Sequence, residues 1–278
     1  MLLLGVSLTL ASTVAYNGSA VLFAVAARRH LGTSSLLVSV GRRSQGLFAF
    51  SLSLLGWGLE VAALTMVSLT LVRVLNVAGL GILLGLTQWV LKEPLGRREV
   101  LGVVLISLGT VMAILTPPRL EISSPNLTKW ALLLLLLTPV ILIPYAFRAL
   151  HRPVGATLGA TASGLAYALS GIFNKGMADA FQSASILPFA LLATGTMAFG
   201  LLSFVTELHV LREGYASIVV PVILAIHTVV PILCAPLLFG ESWPAGLLQQ
   251  VLLGGGIFLA LLGALVLSRS SGDVLSTR

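Results

Sequence analysis

Charged residues are scarce in this sequence. Only 9% of its 278 residues are charged, whereas an ordinary water-soluble domain carries roughly a quarter. Cysteine is represented by Cys234 alone, which excludes an internal disulfide framework. Apolar residues fill the chain instead, at 57% of the composition with a mean hydropathy of +1.06. Lipid is therefore the expected solvent, because about 20 consecutive apolar residues span a bilayer as a hydrogen-bonded helix.

Enzyme signatures are also missing. The sequence has no Walker A loop, no His-Glu-x-x-His, no paired cysteines and no Gly-x-Ser-x-Gly. We therefore expect no enzyme, no catalytic residue and no cofactor, and a gradient must drive any uphill transport. The net charge of +7 does not indicate nucleic acid, because the basic residues lie between apolar runs. It indicates membrane topology and contact with anionic lipid headgroups.

Nine apolar segments predict an all-α, polytopic integral membrane protein with about nine transmembrane helices. They are residues 4–27, 46–68, 70–91, 99–116, 130–149, 154–177, 185–208, 215–239 and 247–268. The longest polar linker is 117–129. We expect it to separate a first half-bundle, residues 1–116, from a second, residues 130–268, with a loose polar cytoplasmic tail at 269–278.

The basic residues are distributed unevenly between the two sides of these segments. Twelve of the 16 Lys and Arg residues fall on the side that holds the C-terminus, and four fall on the other side. Cytoplasmic loops carry the excess of positive charge. The sequence thus predicts a multi-pass cell-membrane protein with its N-terminus outside and its C-terminus inside.

The second half of the sequence repeats features of the first half in the same order, at offsets of 151, 147 and 154 residues. The matched sets are Tyr16 and Ser19 with Tyr167 and Ser170; Glu60, Leu64 and Thr70 with Glu207, Leu211 and Ser217; and Gly102 and Gly109 with Gly256 and Gly263. Helices 1–4 would then pair with helices 6–9, and helix 5 between them would invert the second set. Such an inverted repeat is typical of secondary transporters, in which two half-bundles rock about a site near the midplane.

These residues resemble a known family. The pattern of an acidic turn followed by a Gly-x6-Gly helix, once per half, is similar to the drug/metabolite transporter superfamily of the EamA type. The matching stretches are Leu91-Lys92-Glu93-Pro94-Leu95, Phe239-Gly240-Glu241-Ser242 and Ala166-Tyr167-Ala168-Leu169-Ser170-Gly171. Its nine helices make the chain most similar to the NIPA-like branch, which is linked to magnesium. The resemblance implies a carrier of metabolites, drugs or cations.

Charged side chains inside the apolar segments are the first candidates for a site, since a charge near the bilayer centre costs at least about 2.5–3.5 kcal/mol. Glu60 is the strongest, because its own segment offers no cation, and Glu207 is its counterpart in the repeat. Either carboxylate would bind a cation or carry protons. The alternative is that each lies near a helix end and snorkels, or pairs with a nearby arginine such as Arg212. No metal is assigned.

Arg73 and Asn76 lie one turn apart on helix 3 and share a face. Arg73 either holds a substrate anion, neutralises Glu60, or snorkels outward from a helix that begins at Thr70, and we expect the snorkelling arrangement. His227 lies between two prolines, whose freed carbonyls a cavity could use, so it is either a ligand or a packing residue.

The remaining candidates lie in the first and sixth helices. They are Tyr16, Asn17, Tyr167, Asn174 and Lys175. The four uncharged side chains either line a cavity or form interhelical hydrogen bonds, which contribute only about 0.6 kcal/mol on average. Lys175 follows Asn174 directly and has the alternative role of marking the end of its helix.

The sequence favours a secondary transporter that moves a small metabolite, a drug-like solute or a cation by alternating access. One alternative is a NIPA-like carrier of magnesium or another divalent cation. Another is a non-transporting membrane subunit of a larger complex, which would need neither the repeat nor the paired glutamates. The expected partners are a small solute or ion and the lipid bilayer, without nucleic acid, and a homodimer is compatible with this architecture.

Overall fold

The computed structural model describes residues 1–28, 44–79, 97–119, 127–149, 156–213 and 216–276. These residues form nine helices, and each overlaps one of the predicted apolar segments. The helices are α1 (Leu2–Arg28), α2 (Ser44–Leu64), α3 (Leu69–Gly79), α4 (Arg97–Leu115), α5 (Leu127–Ala149), α6 (Ala156–Gln182), α7 (Ile186–Glu213), α8 (Ala216–Phe239) and α9 (Leu247–Ser276). Within the described ranges there is no β-strand, only an isolated bridge between Arg119 and Ser242. The predicted all-α class is confirmed for this part of the chain.

Several helices differ in length from the apolar runs that predicted them. Helix α6 continues to Gln182 and α7 to Glu213, each five residues beyond the apolar segment. Helix α9 continues to Ser276, so most of the segment expected to be a loose tail prolongs that helix. The reason is general, since a helix ends where its capping groups and tertiary contacts end it, and hydropathy reports only where lipid begins. The Lys92-Glu93-Pro94 turn and residues 80–91 of the predicted third segment lie outside the described residues.

The outer surface is apolar, as a lipid-facing surface must be. Four helices have windows that are long and apolar enough to cross a membrane, and at most a third of each window is buried inside the protein. The exposed side chains of these helices include Phe48, Leu135 and Leu201, each more than half exposed. Four shorter apolar helices accompany them. The protein is therefore a helical membrane protein, in which the apolar residues that remain exposed face lipid.

Helix α6 lies at the centre of the described bundle. It packs against α5, α7 and α8 and also touches α2 from the first half. Small residues make this position possible, because Ala160, Ser163 and Ala166 on α6 are fully buried and allow neighbouring helices to approach closely. Aromatic side chains fill the space on the α5 side, where the Trp130 ring lies 5.2 Å from that of Phe173. The most polar of the long helices is thus the one shielded from lipid.

Helices α4 and α9 cross through their glycines. A Cβ atom added to Gly256 would lie 2.7 Å from the carbonyl oxygen of Gly109, and one added to Gly263 would lie 2.6 Å from that of Gly102. Gly109 faces Gly256 and Gly102 faces Gly263, so the two helices run in opposite directions. Backbone therefore touches backbone along this crossing, and any side chain larger than hydrogen would push the helices apart.

We expect Gly109→Ala to destabilise the protein by about 1–3 kcal/mol, the usual cost of overpacking a close contact. Its Cβ would overlap the carbonyl of Gly256 and lie 2.6 Å from the backbone nitrogen of Ala260, which are both backbone atoms that cannot rotate away. Gly254→Ala is the matched control, because nothing lies within 4 Å of its added Cβ. The measurement is the thermal unfolding midpoint in detergent. Equal midpoints for the two variants would contradict the close crossing.

Candidate functional site

A buried ion pair joins α2 to α3. Nη2 of Arg73 lies 3.3 Å from Oε1 of Glu60. Both residues are almost fully enclosed, with 2% of Arg73 and 4% of Glu60 exposed. The expectation that Arg73 snorkels outward is therefore wrong, and of the three arrangements considered for it the structure has the one in which it lies against Glu60. A buried guanidinium needs an anion because the interior solvates charge poorly.

His227 of α8 contributes a second partner of the guanidinium, from the other half of the chain. Its Nε2 lies 3.0 Å from Nη1 of Arg73. Arginine carries only donors, so Nε2 of His227 must accept this hydrogen bond. The imidazole is therefore neutral in this arrangement, with its proton on Nδ1. The ring also packs against that of Tyr167, at 5.7 Å between centroids.

Each of the two glutamates has a tyrosine beside it. The hydroxyl of Tyr167 on α6 donates to Oε2 of Glu207 on α7 at 3.0 Å. Tyr16 on α1 lies beside Glu60 on α2, within range for the phenol and the carboxylate to interact. Six helices (α1, α2, α3, α6, α7 and α8) thus contribute to one continuous group of polar side chains. We call this group, Tyr16, Glu60, Arg73, Tyr167, Glu207 and His227, the central cluster.

Gly171 provides the space that the guanidinium occupies. A Cβ atom added at this position on α6 would overlap Nη2 of Arg73 and would come within 2.6 Å of its Cζ. No other residue type could stand there without moving the arginine head group. The Ser170-Gly171 step of the sequence motif is therefore a contact point between the two halves.

Serine hydroxyls pin α1 to α2 and α6 to α7 in the same way. Ser12 donates to the carbonyl of Gly56 at 2.7 Å, and Ser163 donates to that of Ser203 at 3.1 Å. A second pair of equivalent bonds follows the same pattern. Ser19 donates to the carbonyl of Ala49 at 2.8 Å, and Ser170 donates to that of Thr196 at 3.0 Å. In both pairs the donors are 151 residues apart in the sequence and the acceptors 147 residues apart. These are the offsets that relate Tyr16 to Tyr167 and Glu60 to Glu207.

The three asparagine candidates make interhelical or local hydrogen bonds. Thr13 donates to Oδ1 of Asn76 at 3.1 Å, which ties α1 to α3. Asn17 donates to the carbonyl of Thr13 one turn earlier, at 2.8 Å. Oδ1 of Asn174 accepts from the indole of Trp57 at 3.0 Å, which ties α6 to α2. Of these contacts, that of Asn174 matches the interhelical alternative considered for it, whereas Asn17 bonds within its own helix; Asn17 and Asn76 are both half-buried.

A second buried charge group lies at one end of the bundle. Lys175 is fully enclosed, and its Nζ donates to Oδ1 of Asp179 at 2.6 Å and to the carbonyl of Leu64 at 3.2 Å. Lys175 does not mark the end of α6, since the helix continues for seven residues beyond it. The carbonyl of Leu64 is at the end of α2, where helix carbonyls lack partners, so the ammonium caps that helix.

Glu241 caps the next helix from the loop between α8 and α9. Its carboxylate accepts from the backbone nitrogens of Leu69 and Thr70 and, at 2.9 Å, from the hydroxyl of Thr70. An anion at a helix N-terminus is stabilised by the free N–H groups there. Burial raises the pKa of Glu241 above its usual range, and these hydrogen bonds partly offset the shift. We call Lys175, Asp179 and Glu241 the end cluster.

Sequence reasoning missed Asp179 and did not count Glu241 among the site candidates. One signal for Asp179 was available, because it follows Lys175 by four residues and so lies on the same helix face. For Glu241 the sequence marked the acidic turn but gave no information about which helix it would meet. The Arg212 side chain, considered above as a partner of Glu207, lies outside the described residues.

Comparisons of the chain with protein-family models, curated proteins and solved structures give no match. The resemblance to the drug/metabolite transporters therefore stays a prediction from short sequence motifs. The conclusion that rests on sequence and structure together is coarser. The chain is a helical membrane protein in which residues from both halves of the sequence meet in a buried, charged central cluster.

Proposed function

We propose that the protein is a secondary transporter that moves a small solute across the cell membrane by alternating access. The observation that carries this proposal is the central cluster, in which Glu60 and Arg73 of the first half meet His227 of the second half. Charges are costly in a membrane interior and mark solute or ion pathways when they occur between helices. Transporters with repeats bind their solute at such an interface.

The equivalent contacts of the two halves support an inverted repeat. Two serine-to-carbonyl hydrogen bonds and one tyrosine–glutamate pair in residues 1–116 have counterparts in the second half at the same offsets. The glycine crossing supports the same repeat. Gly102, whose counterpart in the repeat is Gly256, contacts Gly263, and Gly109, whose counterpart is Gly263, contacts Gly256. A contact of this kind is expected for two helices related by a two-fold axis perpendicular to both. For transmembrane helices that axis lies in the membrane plane.

The end cluster supports alternating access by closing one side of the bundle. It lies where α2, α6 and α8 end and α3 begins, which are all on the predicted outer side. Gln182 of α6 adds a hydrogen bond to the carbonyl of Thr65 at 2.6 Å. The turn between α2 and α3 is thus held by polar groups of the second half. Opening the outer side requires these bonds to break while the central cluster stays near the axis.

The two alternative functions make different demands. A divalent-cation carrier needs carboxylates that are free to face the ion, whereas Glu60 of the central cluster lies against Arg73. The charge of Arg73 at the centre also opposes a dication. A non-transporting subunit would have no need for contacts that repeat at fixed offsets. The geometry therefore favours a solute carrier, and the same experiment separates all three.

The test uses a pair of cysteines across the outer side. Cys234→Ala removes the single native thiol, and Thr65→Cys with Gln182→Cys then places one thiol on each half. Purified protein is first screened by thermal shift against metabolites and divalent cations, because ligands that bind the folded state raise its stability. The ligands found are then offered as labelled solutes to vesicles containing the protein.

We expect uptake by the cysteine pair to stop after treatment with a short bifunctional thiol reagent whose link can be reduced, and to return after reduction. Each single cysteine variant, treated in the same way, controls for labelling without cross-linking. Uptake that persists at full rate in the cross-linked protein would contradict alternating access. Vesicles that take up none of the ligands faster than protein-free vesicles would contradict transport itself. Uptake of magnesium alone would instead establish the divalent-cation alternative.

A further inference from the structure

The guanidinium of Arg73 is buried but only partly paired. Nη1 is hydrogen bonded to His227, whereas Nε and Nη2 have no hydrogen-bond acceptor in the described part of the chain. Buried side-chain donors nearly always have a partner, and exceptions call for an explanation. Gly171 on α6, which leaves room for Nη2, makes this arrangement sterically possible.

The two unpartnered nitrogens share one edge of the planar group. Nε and Nη2 point two N–H bonds in parallel, which is the geometry that grips both oxygens of a carboxylate or phosphate. Glu60 does not fill that edge. Its Oε1 lies 3.3 Å from Nη2 but makes no hydrogen bond, so both members of the pair are left unsatisfied. The ion pair therefore neutralises the charge of Arg73 but leaves the N–H groups of Nε and Nη2 without an acceptor.

We propose that Arg73 binds a small carboxylate anion. This anion replaces Glu60 as the counterion of the guanidinium when Glu60 takes up a proton. This inference rests on the proposed transport function and assigns its substrate class. The charges balance, because one proton moves from water to a carboxylate oxygen of Glu60 and one anion binds the guanidinium that Glu60 releases. The cluster thus keeps its net charge while proton and anion enter together.

Every helix around Glu60 and Arg73 contributes to the electrostatics of this exchange. Tyr16 faces Glu60 from α1, and His227 faces Arg73 from α8 as a neutral acceptor. Tyr167 and Glu207 lie behind the imidazole on α6 and α7. The carboxyl group of Glu207 accepts a hydrogen bond from Tyr167, so the exchange concerns the one counterion of Arg73. Protonation of His227 would remove the acceptor of Nη1, so the exchange requires a neutral imidazole.

Isothermal titration calorimetry of the purified full chain tests this proposal. The probes are L-lactate, succinate and inorganic phosphate, each titrated in two buffers of different ionisation enthalpy. The difference in heat between the buffers gives the number of protons taken up per anion bound. We expect saturable binding of a carboxylate with about one proton taken up, as the exchange of one counterion requires. Binding of phosphate alone would keep the oxyanion site but overturn the carboxylate assignment.

Two variants separate the roles of the partners. Arg73→Gln should weaken carboxylate binding by about tenfold or more, the usual effect of losing hydrogen bonds to a charged group. Glu60→Gln should retain binding and take up no proton, because the competing charge is gone. Gly171→Ala keeps both charged residues and displaces the guanidinium, so it should weaken binding even if Arg73→Gln fails to fold. Gly58→Ala on α2 is the control, since its added Cβ meets nothing within 4 Å.

Three results would overturn the inference. The first is carboxylate binding by wild type without proton uptake, and the second is unchanged affinity in Gly171→Ala. The third is the absence of anion binding in a protein that binds and transports a cation or an uncharged solute. In that third case the transport proposal would stand and only the substrate class would fail. Loss of transport for every solute would instead remove the proposed function.

Discussion

Lys175→Met is expected to destabilise the protein by about 3–5 kcal/mol, the usual effect of removing one member of a buried ion pair. Methionine keeps the length and apolar stem of the side chain, so the loss comes from the ammonium alone. Asp179 would then keep a charge that is 96% enclosed with no cation beside it in the described structure. The carbonyl of Leu64 would also lose its donor. The measurement is thermal unfolding of the purified protein in detergent.

A double variant isolates the cause of this loss. Lys175→Met combined with Asp179→Asn removes both charges and should recover more than half of the lost stability, since replacing a whole buried pair is often close to neutral. Lys129→Met provides the matched control. Lys129 is exposed and donates to the carbonyl of Leu237, so its replacement should cost on the order of 1 kcal/mol or less. A Lys175→Met protein as stable as the Lys129 variant would contradict the buried pair.

The helices themselves could be predicted because apolar runs report directly on burial in lipid. Each described helix overlaps a predicted segment, from α1 at Leu2–Arg28 to α9 at Leu247–Ser276. The ends were predicted less well where charged residues continue a helix. Lys175 looked like the end of a span because a lone ammonium belongs in water, and Asp179 removes that objection only once the two side chains are seen to pair inside the protein.

The direction of Arg73 could not be read from its own helix. A cation near the start of an apolar run is equally compatible with snorkelling and with burial, and the choice depends on what the neighbouring helices offer. Here α6 offers Gly171 and α8 offers His227, which lie 98 and 154 residues further along the chain. The proposed repeat, by contrast, rests on the sequence itself, because hydroxyl and carboxylate side chains are rare in apolar helices and their spacing stands out.

Glu60→Gln is expected to abolish gradient-driven accumulation while leaving exchange intact. The amide has the shape of the carboxylate and keeps an oxygen 3.3 Å from Nη2 of Arg73. Because the guanidinium loses its counterion, a cooperative thermal unfolding transition in detergent must first show that the variant is folded. The amide cannot take up a proton, so a proton gradient can no longer drive accumulation of the solute. Exchange of internal for external solute requires only that the binding site, with solute bound, changes the side of the membrane to which it opens. This step needs no proton transfer.

The proposed coupling role of Glu60 rests on its burial and on its contact with Arg73, which in turn contacts His227 of the second half. Glu60 is 4% exposed, and the charges nearest to it come from a different helix. A purely structural anion at this position would stabilise Arg73 but would not influence the energetics of transport. Gly58→Ala, on the same helix with nothing within 4 Å of the added Cβ, reports any effect of altering α2 that does not involve the carboxylate.

The decisive measurement compares two fluxes in vesicles made from one preparation of Glu60→Gln protein. A solute that binds the wild-type protein is offered first under an imposed pH gradient and then under exchange conditions without a gradient. The central cluster, as a proton-coupled transport site, predicts accumulation at the level of protein-free vesicles, with exchange within about threefold of wild type, equivalent to less than 1 kcal/mol. Normal accumulation by a folded Glu60→Gln protein would contradict that account.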